Sequence, residues 1–243
     1  MAGNRPEARV RIPFVLQDWR AVTFVHWRCE PEAVARLLPP GLTPDVLDGS
    51  AWVALTPFLV RRFRAPFLPP LPGVSEFPET NLRTYVRAPD GRDGLWFLSL
   101  DAGNLATVAG ARVGIGAPYC WGDYSVEQGD GVVRYQGRRR HRPNAEYRVE
   151  VQPTSPPRAD VDDLVARLVG RWRAYTRHVG RLWVVPVEHE PWPVQEAKLL
   201  RCDQSVTAAA GLPDLGPPAL VHFAEGVHAR LGIPAPARAL RPA

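Results

Sequence analysis

Short segments of β-forming residues, separated by proline and glycine, dominate this chain of 243 residues and limit what it can fold into. Four early segments are rich in valine, threonine and aromatic residues, which favour strands: residues 19–28, 51–60, 77–86 and 95–103. Residues 30–42 and Asp160 to His178 instead space their apolar residues as helices do. Together they predict an α+β fold, an antiparallel β-cone or barrel with two or more flanking helices.

The remaining segments predict further strands and one domain. Strands are predicted at residues 108–118, 122–128 and 182–189, a hairpin at 131–153 turning through Pro143 and Asn144, a short helix or loop at 192–200, and a final hairpin at 220–231. We expect a loose leader over residues 1–14, one domain over 15–235 and a tail over 236–243.

Composition points to a globular protein in the cytoplasm. Hydrophobic residues make up 45% of the chain, yet no apolar run is long enough to cross a bilayer. The N-terminus lacks the apolar core of a signal peptide. Cys29, Cys120 and Cys202 form no CxxC pair, which is typical of reduced thiols. We therefore expect a soluble cytoplasmic protein without a membrane partner, and the sequence leaves open whether it forms a homo-oligomer.

The basic character of the chain is a weak sign of a nucleic-acid partner. Net charge is +5, and 29 of the 30 basic residues are arginine. The one dense run, Arg138 to Arg142, lies in the predicted hairpin, where its side chains divide between two faces. Because no aromatic platform is interleaved with the run, we predict no nucleic-acid partner.

Motifs for cofactors and metals are missing from the sequence. It contains no GxGxxG, P-loop, HExxH or GxSxG pattern, and its six histidines are scattered. We therefore predict neither a cofactor nor a metal.

The segment FPETNLRTYV, residues 77–86, raises the main functional question. Read with period two, it places Glu79, Asn81, Arg83 and Tyr85 on one face. That face lies either toward water or toward a cavity. Arginine beside carboxylates and tyrosines suits a pocket for a small acid, because a guanidinium pairs with a carboxylate and a desolvated Glu can move a proton. The alternative is a set of structural ion pairs.

Several stretches resemble one known family. WRAVTFVHWRCEPEAVARLLPPGL, PETNLRTYV, GLWFLSLDA, ARVGIGAPYCWGDY and HEPWPVQEA are similar to the YqjF-like family of uncharacterised proteins, over about residues 15–230. That family in turn resembles acetoacetate decarboxylase. The resemblance implies a curved β-cone or barrel that encloses a small cavity, with helices outside.

The resemblance also implies site residues. Arg20 falls where the decarboxylase has its cavity arginine, and Glu79 falls on its acidic strand. In ARVGIGAPYCW, however, the residue after the proline is Tyr119, where the decarboxylase has its Schiff-base lysine. The chain's single lysine, Lys198, lies far along the sequence, so we predict no imine.

These residues support one leading hypothesis and two rivals. The leading hypothesis is a cavity that binds a small carboxylate or carbonyl compound, with lysine-independent lyase, isomerase or hydratase chemistry. Arg20 anchors an anionic group, Glu79 acts as acid or base, and Tyr119 donates a hydrogen bond to a carbonyl or enolate. Second-rank lining residues are Asn81, Arg83, Tyr85 and Arg112. The rivals are a non-catalytic binding or structural protein on the same fold and, more weakly, a nucleic-acid-binding or partner-binding role for residues 138–142.

Overall fold

A computed structural model describes residues 9–141 and 144–237. Residues 1–8 and 238–243, in the expected leader and tail, lie outside the described residues, as do Arg142 and Pro143. The described chain forms 13 strands and four helices. In order they are β1 Pro13–Cys29, α1 Pro31–Ala35, β2 Thr43–Pro44, β3 Ala51–Arg64, β4 Phe77–Arg87, β5 Asp93–Ala102, α2 Leu105–Ile115, β6 Tyr119–Gly129, β7 Val132–Arg139, β8 Glu146–Pro153, α3 Asp163–Val169, β9 Arg173–His178, β10 Arg181–Glu188, β11 Val194–Gln204, α4 Val206–Ala209, β12 Leu220–Gly232 and β13 Ala235–Pro236.

The strands close into two rings that share one wall. The shared wall consists of β12, β1, β3, β4 and β5, paired antiparallel in that order. Strands β6, β7, β8 and β11 join its two edges and complete a nine-strand barrel. Strands β9 and β10 join the same edges and complete a seven-strand ring. This confirms the predicted α+β barrel with flanking helices.

Each edge strand of the shared wall divides its pairing between the two rings. Leu95 and Trp96 of β5 pair with β9, whereas residues 100–102 pair with β6. On β12, residues 222–224 pair with β11 and residues 230–231 with β10. Both β5 junctions are parallel, so the barrel is mixed and not purely antiparallel as predicted.

Both faces of the shared wall are therefore buried. On β1, Val25 and Trp27 pack in the core of the nine-strand barrel, whereas Val22 and Phe24 belong to a separate apolar cluster on the other face. Strand β4 is buried along nearly its whole length. Burial on two faces explains why these strands read as almost continuous apolar runs.

Four predicted segments are wrong because tertiary pairing overrides local pattern. The helix predicted over Asp160–His178 covers only α3, which Asp162 caps and Gly170 ends, and the rest becomes β9. Residues 108–118 were predicted as a strand but form α2, whose first turn Asn104 caps through Thr107 N. The final hairpin is the single strand β12, and residues 194–204 form β11.

The predicted hairpin of β7 and β8 is confirmed, with Arg138 opposite Glu146. Its basic residues, however, are not all solvated: Arg139 is buried, while Arg138 and Arg140 are exposed. None of the helices in the described part of the chain has the length and apolar character that a membrane crossing requires.

Candidate functional site

A cavity of about 130 Å³ lies inside the seven-strand ring, against the shared wall. Its wall-side lining comes from alternate residues of neighbouring strands, among them Phe24 of β1, Thr56 and Phe58 of β3, and Glu79, Asn81 and Arg83 of β4. This volume exceeds what a single water molecule needs, so the cavity has room for several water molecules or for one compact ligand. From Glu79 to Arg83, the odd-numbered face of β4 therefore faces a cavity and not water.

Glu79 and Tyr119 meet at one end of this cavity. The Tyr119 hydroxyl donates to Glu79 Oε2 at 3.1 Å, and both side chains line the cavity. Burial raises the pKa of Glu79 to about 8, with the Asp101 charge adding to the rise and the Tyr119 hydrogen bond opposing it. Burial also raises the pKa of Tyr119 well above its ordinary value. At neutral pH Glu79 is therefore mostly a protonated acid, and Tyr119 a neutral hydroxyl.

The start of β6 holds Tyr119 in place. Helix α2 ends at Gly116, whose φ of 66° is left-handed and whose added Cβ would lie 2.5 Å from the carbonyl oxygen of Arg177. The turn that follows directs the chain onto β5, where Leu100 N donates to the Pro118 carbonyl at 3.1 Å. Arg112 Nε donates to the Tyr119 carbonyl at 2.6 Å from outside the cavity.

Arg83 brings a cation into the cavity without a carboxylate partner among the described residues. Its NH2 group donates to the Leu168 carbonyl at 3.1 Å, and its guanidinium lies 5.1 Å from the centre of the Phe24 ring. Its Nε is buried with no hydrogen-bond partner in the described chain. A buried charge is costly unless it is paired, so this arrangement favours an anionic ligand.

Two neutral polar groups beside Arg83 and Glu79 are also unsatisfied. Asn81 Oδ1 and Thr56 Oγ1 are buried, line the cavity and have no hydrogen-bond partner in the part of the chain that the structure describes. Each such group costs about 1–3 kcal/mol if it stays unpaired. A polar ligand in the cavity would satisfy both.

The structure brings some of the predicted residues together and separates others. Glu79, Tyr119, Asn81 and Arg83 line one cavity. Arg20, expected as the anion anchor, lies outside the lining and bonds Asp18 at 3.4 Å and His228 at 3.0 Å. Arg20 thus lies on the face of β1 opposite to Trp19, which lines the cavity.

Two other predicted lining residues act from behind the cavity. Tyr85 is fully buried, but its hydroxyl donates to the Leu168 carbonyl at 2.8 Å and also lies 2.8 Å from His26 Nε2. Arg112 supports the backbone of Tyr119. Neither contributes to the lining. Lys198 is exposed on β11, opposite Gln152 of β8, and lies outside the lining as well.

Sequence reasoning missed Arg171 and His189, which also line the cavity. Arg171 is buried and forms ion pairs with Asp45 at 2.8 Å and with Asp93 at 2.7 Å, so its charge is already compensated. In the sequence it lay inside a predicted helix, and no motif singled it out.

His189 is held in an aromatic cage. Its ring lies 4.6 Å from Trp172 and 4.7 Å from Trp192, and its Nδ1 donates to the Glu190 carbonyl. Burial lowers the pKa of His189 to about 4, so the ring is neutral at pH 7. With Glu79 protonated and Arg171 compensated, Arg83 is the cavity-lining charge in the described residues that lacks a counter-charge.

The described residues contain no group of three or more His, Cys, Asp or Glu side chains that is suited to a metal.

Known proteins match this chain over almost its whole length. The model of a family described as "Uncharacterized conserved protein" (DUF2071) matches residues 16–228. "Uncharacterized protein YqjF" of Bacillus subtilis (strain 168) is 35% identical over 212 residues, 86% of each chain.

Solved structures share the fold at low identity. An acetoacetate decarboxylase-like enzyme from Sphingomonas wittichii RW1 is 15% identical, with a TM-score of 0.64 and 96% of each chain covered. Acetoacetate decarboxylase from Legionella pneumophila is 12% identical, with a TM-score of 0.63 and coverage of 94% of this chain and 89% of that one. The enduracididine biosynthesis enzyme MppR, complexed with pyruvate, is 18% identical, with a TM-score of 0.59 and coverage of 97% and 95%. At these identities the likeness shows the fold alone.

Proposed function

Because the chain belongs to the DUF2071 family of YqjF-like proteins, on an acetoacetate decarboxylase-like fold, we propose that its cavity binds a small 2-oxo acid and catalyses lysine-independent lyase, isomerase or hydratase chemistry. One observation carries the proposal: Arg83, without a carboxylate partner among the described residues, lines the same cavity as a protonated Glu79. The pyruvate complex of MppR supports the ligand class.

Arg83 takes the ligand carboxylate in this proposal. A guanidinium binds a carboxylate through parallel N–H donors, and the free Nε supplies one of them. Cα atoms two residues apart on a strand are separated by about 6.6 Å, so Asn81 and then Glu79 follow along the same face. With its carboxylate on Arg83, a 2-oxo acid thus turns its oxo oxygen along this face, toward Asn81, Thr56 and Glu79.

Glu79 moves the proton. A carboxyl group whose pKa is about 8 can donate a proton to a ligand oxygen at neutral pH and take one back later in the cycle. After donation, the Tyr119 hydroxyl stabilises the new carboxylate through the hydrogen bond that it already makes. Because Lys198 lies outside the cavity lining, the proposed chemistry proceeds without an imine.

Thermal shift with a panel of small 2-oxo acids tests the site. A bound ligand raises the melting temperature by mass action, so a hit identifies a ligand of the native state. We expect Glu79→Gln and Arg83→Met to weaken the best hit by about tenfold or more, because each removes a charge-assisted or proton-donating contact worth about 1.5–3 kcal/mol. Arg20→Ala is the matched arginine variant outside the lining, and it should bind like wild type.

These experiments distinguish an anion anchor other than Arg83, an enzyme and a non-catalytic binding protein. If Arg20→Ala abolishes binding while Arg83→Met does not, the anchor is Arg20 and the proposed geometry is wrong. NMR spectra of the hit, followed over time with wild type and Glu79→Gln, separate enzyme from binder. Conversion by wild type alone supports catalysis, whereas binding without conversion supports the non-catalytic alternative. Borohydride trapping should give no adduct on Lys198.

A further inference from the structure

The cavity is bordered by a second, open depression on the surface, which we name the outer groove. Gln17 and His189 line both the cavity and the outer groove, so the two spaces are separated by one layer of side chains. Four arginines, Arg9, Arg62, Arg64 and Arg230, line the outer groove together with three carboxylates.

The carboxylates of the outer groove are already engaged. Asp18 lies 3.4 Å from Arg20 and 3.9 Å from Arg62, and Glu188 lies 3.6 Å from Arg230. Glu190 accepts from the backbone N–H of His228 and lies 2.8 Å from His228 Nδ1. In contrast, Arg64 is only half-exposed and has no carboxylate partner among residues 9–141 and 144–237. The outer groove therefore keeps an excess of positive charge.

A β-bulge in β3 lies at two of these arginines, Arg62 and Arg64. Leu16 pairs with Arg64 and Asp18 with Arg61, so β3 carries one residue more than β1 over this stretch. Arg62 within the bulge has a φ of 53°, which is left-handed and unfavourable for a residue with a Cβ. Bulges redirect side chains beside functional sites, and strained backbone tends to be kept where it serves function. The bulge thus determines where Arg62 and Arg64 project along the outer groove.

The aromatic residues between Arg83 and the outer groove form a continuous row. The Arg83 guanidinium lies 5.1 Å from the Phe24 ring, Phe24 lies 5.1 Å from Trp192, and Trp192 lies 4.7 Å from His189. A ligand that runs from Arg83 past His189 to the outer groove would lie against these rings, and an elongated ligand with an apolar middle section suits that route.

We propose that the outer groove is the second half of the binding site and takes a second carboxylate, at the far end of an elongated dicarboxylic 2-oxo acid. This inference rests on the proposed function, since Arg83 holds the first carboxylate. Arg64 and Arg62 bind the distal carboxylate, and His189 with Gln17 forms the passage between the two spaces. Short 2-oxo acids fill the cavity alone and leave the outer groove to water.

Isothermal titration with matched ligand pairs tests this inference. Each pair consists of a dicarboxylic 2-oxo acid and its monocarboxylic analogue of the same chain length, in a series of increasing length. With wild type, we expect the dicarboxylic member to bind about tenfold more tightly once the chain is long enough to reach the outer groove. Arg64→Glu should abolish that gain and leave the monocarboxylic ligand unchanged.

Controls keep the test decisive. Arg138→Glu replaces an exposed arginine on β7, outside both spaces, and should keep the wild-type gain. Arg64→Gln, with a melting curve for each variant without ligand, covers the case in which the charge reversal disturbs folding. If the gain persists in Arg64→Glu and Arg64→Gln, or if wild type shows no gain at any length, the outer groove is not a subsite, although the proposed function stands. If wild type binds neither member of any pair, both proposals fail.

Discussion

The two faces of the shared wall differ in whether their buried polar side chains have hydrogen-bond partners within the protein. Toward the nine-strand barrel, Thr80 bonds the Tyr147 hydroxyl at 2.6 Å, and Asp101 takes two hydrogen bonds from Arg139 at 2.8 and 2.9 Å. Toward the cavity, Arg83, Asn81 and Thr56 each have a buried atom without a partner among the described residues. The Tyr124 hydroxyl is an exception on the first side.

Within single strands, this difference separates polar side chains that the fold satisfies from those that it leaves unpaired. Thr80 and Asn81 are neighbours in β4, yet one is satisfied by the protein and the other is not. Glu79 and Asp101 lie on adjacent strands and are both buried carboxyl groups, but Asp101 has a guanidinium partner and Glu79 has a hydroxyl. A buried polar group that the fold leaves unpaired destabilises the empty protein and is available to a ligand.

The largest expected effect concerns the pH dependence of stability. Because burial raises the pKa of Glu79 from 4.5 to about 8, its contribution to stability is present in full below pH 4.5 and is lost as pH rises through 8. The free energy of unfolding of wild type should fall over this range relative to that of Glu79→Gln, by up to about 5 kcal/mol. Urea unfolding of both proteins at a series of pH values measures the difference.

Glu127→Gln, an exposed carboxylate on β6, is the control and should follow the wild-type curve. Parallel pH profiles for wild type and Glu79→Gln would show that folding does not raise the pKa of Glu79. Glu79 would then be ionised in the folded protein at neutral pH.

The next effect compares two buried arginines. Arg139→Met leaves the Asp101 carboxylate buried without its partner, and the expected cost is about 3–5 kcal/mol of unfolding free energy. Arg83→Met removes a cation that has no carboxylate partner among the described residues, and the Leu168 carbonyl keeps its bond from Tyr85. We expect a change within about 1 kcal/mol for this variant. Denaturant titration measures the unfolding free energy of both variants. Equal losses of unfolding free energy would mean that Arg83 contributes as much to stability as Arg139.

The smallest effect concerns the hydrogen bond between Tyr119 and Glu79. Tyr119→Phe removes the donor that lowers the pKa of Glu79, so the pH midpoint of the stability change should move upward, on the order of one unit. The direct cost to stability should be about 0.5–1.5 kcal/mol. The matched control is Tyr124→Phe, whose hydroxyl is unpartnered in the described chain and whose removal should cost less. A midpoint that does not move would exclude the bond as a determinant of the proton on Glu79.

Prediction from sequence succeeded where local pattern and tertiary pairing agree. The strands at residues 51–60 and 77–86 are rich in β-forming residues, the β7–β8 hairpin alternates as expected, and each pairs with a neighbour nearby in sequence. It failed at β9 and α2. In both segments the apolar spacing does not by itself distinguish helix from strand. Contacts with distant strands, such as the pairing of β5 with β9, determine which of the two forms.

The site shows the same division. Glu79, Asn81 and Arg83 could be proposed together because strand periodicity places them on one face. Arg171 and His189 could not, because each reaches the cavity from an element far from β4 in sequence. Arg20 was expected in the lining on the strength of the resemblance, but the structure directs it to Asp18 and His228.

The sequence by itself determined that FPETNLRTYV is a strand with Glu79, Asn81 and Arg83 on one face and Thr80 and Leu82 on the other. It did not determine what lies opposite either face. Only the closing of two rings on one wall placed Tyr147 against Thr80 and a cavity against Glu79. The reason is physical: side-chain direction follows from the backbone of a single strand, whereas burial and pairing depend on residues that folding brings from elsewhere in the chain.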